Sequence, residues 1–85
     1  MLKLKITLAN GDETVQKVTP QIEYAFEQFA GKGYLKAVTE DQKMTDLYWM
    51  AWKCLLVAGF EVKPFGEKFL ETLEKVEVVD DTPEE

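Results

Sequence analysis

The chain contains no histidine, no serine and no arginine, and only one cysteine, Cys54. Each absence removes chemistry. Without serine there is no Ser-based acyl-transfer triad and no serine-attached carrier arm. Without histidine the side chain best suited to proton transfer near neutral pH is missing, together with the commonest metal ligand. Without arginine there are no bidentate forks for phosphate or for guanine edges. A lone cysteine has no internal disulfide partner, which fits a reducing compartment, and its apolar surroundings suit a buried, unreactive thiol. Composition therefore points to a binding or assembly protein rather than an enzyme, with no catalytic residues, no metal and no cofactor expected.

What is present suits one small domain. The chain has 85 residues, of which 46% are hydrophobic. A chain of this size buries only roughly 60% of its unfolded surface, so self-association or a partner is expected to add stability. The opening Met1-Leu-Lys-Leu-Lys-Ile6 alternates and offers no signal-peptide block. The longest nearly apolar stretch, Leu47 to Phe60, is interrupted by Lys53 and falls short of the ~20 residues of a membrane span. A soluble cytoplasmic protein is expected. Charge is unevenly placed: residues 1–60 carry seven lysines and seven acidic residues, and residues 61–85 hold the entire net charge of −6. That distribution gives nucleic acid no counterion-release term, so none is expected as a partner.

The pattern along the chain predicts an α+β fold, with residues 1–79 as a single domain. Leu2, Leu4, Ile6 and Leu8 alternate with polar residues, and Asn10-Gly11 then favours a turn, giving a β-hairpin over 2–18. Val15 and Val18 cannot both face the core of a regular strand. Either the return strand carries a bulge or Val18 already belongs to the next turn. Thr19-Pro20 starts a helix over about 20–30, stopped by Gly31. Residues 31–38 form a connection compatible with a short extended piece. Thr39-Glu40-Asp41-Gln42 matches a capping box and predicts a helix over about 40–58. That helix is apolar on most sides and is expected to be central. Phe65, Phe69, Leu73 and Val76 repeat at helical spacing and predict a third helix over about 64–77. The acidic end, 80–85, is expected to be a disordered tail.

Few constellations carry chemistry. Asp80-Asp81 lacks the spaced, glycine-centred loop of a calcium site. Glu23 and Glu27, four apart, suit a hydrated helix face. Gly31-Lys32-Gly33 lacks the spacing of a phosphate loop. The aromatic cluster on the central helix is different. Taken singly, Trp49 and Trp52 each suit a core position. Taken with Tyr48, Leu56 and Phe60 they exceed what so few elements can cover, and interface anchors favour Trp and Tyr. Tyr48, Trp49, Trp52, Leu56 and Phe60 are therefore the candidate partner-binding residues.

The order of these features resembles a known family. The segments are the Asn10-Gly11 hairpin, the Thr19-Pro20 start followed by Ile22-Glu-Tyr-Ala-Phe-Glu-Gln-Phe29, the run Asp46-Leu-Tyr-Trp-Met-Ala-Trp-Lys-Cys-Leu-Leu-Val-Ala-Gly59, and Phe65-Gly-Glu-Lys-Phe-Leu-Glu-Thr-Leu73. Over roughly residues 2–79 they are similar to the tail assembly chaperones of long-tailed bacteriophages and of prophages. The positions carrying the likeness are Phe26, Glu27, Leu47, Trp49, Ala51, Trp52, Gly59, Phe65, Phe69 and Leu73. The resemblance implies a protein of the host cytoplasm, absent from the mature virion. It would hold the apolar helices of the tape-measure protein soluble until tail-tube subunits polymerise, without cofactor or small-molecule substrate. Two other classes compete: a small acidic inhibitor imitating nucleic acid, and an antitoxin-like protein. Against the mimic, the acidic residues gather near one end instead of following duplex spacing.

Overall fold

Alternation along the first segment makes a strand, and the computed structural model, which describes residues 2–80, places it at the centre of the sheet. Strand β1 (Leu2–Leu8) sends Leu4 and Ile6 into the core. It pairs antiparallel with β2 (Glu13–Lys17), with Leu4 opposite Gln16 and Ile6 opposite Thr14. In the turn between them Gly11 has a φ of 97°, and Asp12 N donates to Asn10 Oδ1 at 2.9 Å, the local bond that suits Asn to such a turn. Val18 lies beyond β2. It is buried, and its amide donates to Leu2 O at 2.9 Å, so the second of the two sequence alternatives holds.

Helix α1 (Pro20–Ala30) starts after Thr19 and ends at Gly31, whose φ of 71° is the left-handed conformation that closes a helix without a Cβ penalty. The connection expected over 31–38 is instead helical. A short α2 (Tyr34–Lys36) continues into a wider π-helical turn over Ala37–Asp41. The predicted capping box at Thr39–Gln42 does not form. Thr39 Oγ1 donates back to Leu35 O, and Gln42 closes the π turn with a φ of 50°. Helix α3 therefore spans Met44–Val57 rather than 40–58. It lies against β2 and β3, with α1 packed on it.

The largest correction concerns the predicted helix over 64–77. A single short turn, α4 (Glu67–Glu71), is followed by strand β3 (Leu73–Asp80), which pairs antiparallel with β1 from Leu2↔Asp80 to Leu8↔Leu73. The sheet order is β2-β1-β3, with an irregularity opposite Thr7/Leu8. Val76-Glu-Val-Val79 favours a strand once β1 offers an edge, and a two-stranded hairpin is marginal without a third strand. Asp80, expected in the tail, ends β3, and the rest of that expectation, residues 81–85, lies outside the described residues. The architecture is thus α+β, with helices on one sheet face. The other face exposes Glu13, Val15, Lys17, Lys75, Glu77 and Val79.

Candidate binding surface

Helix α3 presents apolar residues on two sides at once. Met50, Ala51, Cys54 and Leu55 face inward and join Leu4, Ile6, Phe26 and Phe69 in the core. A second set, led by the tryptophans, meets α1 and the segment before α4. Trp49 is only 7% exposed and stacks on Phe29, with ring centroids 4.7 Å apart and planes 11° from parallel. Trp52 lies 5.7 Å from Trp49 and 6.0 Å from Phe65, and Phe65 meets Phe29 edge-on at 6.3 Å. Such edge and offset pairs add about 0.5–1.5 kcal/mol each beyond burial. The indole Nε1 of Trp52 also donates to Lys63 O at 2.8 Å, and Lys53 Nζ sits 5.8 Å over the same indole.

The structure divides the five candidate residues. Trp49 is core, Tyr48 and Trp52 are half-buried, and Leu56 and Phe60 are 42% and 41% exposed. Leu56 and Phe60 share a groove of about 640 Å³ with Leu8, Leu55, Val62 and Phe69. Glu61 and Lys63 flank it, one of each sign, and Thr72 completes the lining. Trp52 does not line this groove, but its bond to Lys63 O fixes the chain segment that does. Leu8, Val62 and Phe69 were not among the binding candidates expected from sequence. They come from a strand, a loop and α4, and no local spacing connects them.

Polar contacts outside the groove tie neighbouring segments together. Lys32 Nζ lies 2.7 Å from Asp41 Oδ2 and 2.9 Å from the buried Asp46, and Lys36 reaches Asp41 at 3.3 Å. Hydrogen bonding to Asp41 and Asp46 raises the Lys32 pKa, and the bond from Lys32 holds Asp41 below its ordinary value. Glu27 accepts the Tyr34 amide at 2.8 Å, satisfying an open end of α2. Burial pushes the Cys54 thiol up to about 11, and its Sγ faces Lys17 O at 3.8 Å. Among the described residues no cluster of three or more metal-ligating side chains occurs, and no helix is long and apolar enough to cross a membrane. Comparison with protein-family models, with curated proteins and with solved structures finds no match.

Proposed function

We propose that this chain is a non-enzymatic tail assembly chaperone of the kind made by long-tailed phages and prophages, and that it holds apolar helices of a tape-measure protein in solution. The observation that carries this reading is the apolar groove beside the exposed Leu56 and Phe60, on a protein whose net charge is −6. A groove walled by aliphatic and aromatic side chains suits the apolar stripe of an amphipathic helix. The mixed charges at Glu61 and Lys63 suit a helix that carries both signs along its polar side. The sequence resemblance supplies the partner's identity. The nucleic-acid mimic fits less well, because the exposed sheet face mixes Lys17 and Lys75 with Glu13 and Glu77.

Co-expression with a phage tape-measure protein tests the reading. Wild-type protein should move the tape-measure protein into the soluble fraction. Leu56→Asp and Phe60→Asp should lose that effect while keeping the native circular-dichroism spectrum. Failure of the wild type to solubilise its partner, or equal rescue by both variants, would overturn the proposal.

A further inference from the structure

Both outer strands of the sheet offer backbone groups to a further strand, and they differ in what they would accept. Leu8 N donates to Asp12 O, and Val18 N donates to Leu2 O. Even-numbered residues of β1 therefore bond toward β2, so Thr14 and Gln16 bond inward. The amide and carbonyl of Val15 consequently point to the free edge. The Val15 side chain, 53% exposed, stands on the open sheet face between Glu13 and Lys17. Lys17 has no carboxylate across from it in its own sheet, since its register partner is Lys3. Glu13 reaches Lys5 at only 3.7 Å with both side chains well exposed, so it remains available to a second cation.

These facts make β2 complementary to itself. In an antiparallel pair of two β2 strands centred on Val15, each Glu13 falls opposite the other copy's Lys17, Thr14 opposite Gln16, and Val15 opposite Val15. Moving the centre by one residue removes both Glu–Lys pairs and shortens the overlap. Strand β3 offers a weaker solution. A β3 pair centred on Val76 does set Lys75 against Glu77 of the other copy, but these two side chains already pair with each other at 3.6 Å, and the overlap runs into the irregularity near Leu73. Beneath the β2 edge lies a second cleft of mixed character, where Val15, Ile22, Cys54 and Val57 meet Gln16, Lys17 and Thr19, and a copy docked there also covers the 46% exposed Val57.

We infer that the chain forms a two-fold dimer by pairing β2 with β2 of a second copy, making one continuous six-stranded sheet from two sheets of order β2-β1-β3. This inference is independent of the chaperone reading. The strand contact is short, so the dimer dissociates on dilution. Sedimentation equilibrium over a concentration series at low salt tests it. Glu13→Lys places lysine against lysine at both ends, and Lys17→Glu places glutamate against glutamate. Each should weaken dimerisation about tenfold or more. The Glu13→Lys/Lys17→Glu double variant should dimerise like the wild type, and an equimolar mixture of the two single variants should form a mixed dimer. Lys75→Glu, on the other edge, should leave dimerisation unchanged. A strictly monomeric wild type, undiminished dimers in both single variants, or loss of dimer in Lys75→Glu with the β2 variants unaffected would each overturn the inference.

Discussion

Replacing Tyr34 with phenylalanine should stabilise this protein. The Tyr34 ring is buried in the core, edge-on to Phe26 at 6.4 Å, but its hydroxyl is buried and meets no hydrogen-bond partner among the described residues. A buried unsatisfied polar group costs about 1–3 kcal/mol, whereas an apolar replacement of the same shape keeps the packing. Tyr34→Phe should therefore raise the unfolding free energy by about 1 kcal/mol, which is about 4–8 °C in Tm for a domain of this size. Urea unfolding should show a higher midpoint with an unchanged slope. The same burial, helped by Glu23 and the Cys54 sulfur, pushes the phenol from 10.0 up to about 12. The unfolded chain releases that proton near the ordinary value and the folded chain does not. Tyrosine's contribution is therefore intact below pH 10 and is lost as pH rises from there through about 12. The stability gap in favour of phenylalanine should widen over that window. A lower urea midpoint for Tyr34→Phe, or parallel stability curves at alkaline pH, would refute the reasoning.

Trp49→Ala should cost about 3–5 kcal/mol, a large part of the about 4–13 kcal/mol available to a chain of this length, and calorimetry should show a much lower Tm or no transition. Its loss of partner binding would then report unfolding, so binding is better probed at the exposed Leu56 and Phe60. Lys32→Met should lower the Tm at neutral pH, because it strands the buried Asp46 and leaves Asp41 with Lys36 alone. Asp41 is held below its usual value by Lys32, so its contribution is present above the unfolded value of 3.8 and lost as pH falls through the lower folded value. The variant should accordingly show a weaker acid dependence of stability. Cys54, pushed from 9.0 to about 11 by burial, should be alkylated in the native protein at least about a hundredfold more slowly than in urea at the same mildly alkaline pH.

The parts that were legible in sequence are those specified locally. Period-two alternation gave β1, Asn10-Gly11 gave the turn, and Thr19-Pro20 with Gly31 bounded α1 within a residue or so. The misreadings share one cause. Phe65, Phe69, Leu73 and Val76 do fall at helical spacing, but the last two belong to a strand whose partner lies at the other end of the chain. Local pattern cannot register that pairing, and tertiary context decided it. The capping box failed for a similar reason. Thr39 bonds back to Leu35 O, Asp41 is drawn to Lys32 and Lys36, and the chain closes a π turn at Gln42 before α3 begins. In the candidate site, Leu56 was visible as apolar excess on the central helix, and Phe60 as an aromatic just past its end. The groove's other walls were not, since they become neighbours only when β1, α4 and the 60–63 segment come together.

The central strand is also the first one made. Leu2 pairs with Asp80, so the sheet cannot close until nearly all of the described chain has left the ribosome. Until then the Lys3, Lys5 and Thr7 backbone groups that bond to β3 stay open, and a nascent hairpin must wait with one side unpaired. The slow step of folding is therefore expected to be the docking of the last strand. Slowed synthesis or early release would expose an intermediate prone to pairing with its neighbours on the same message.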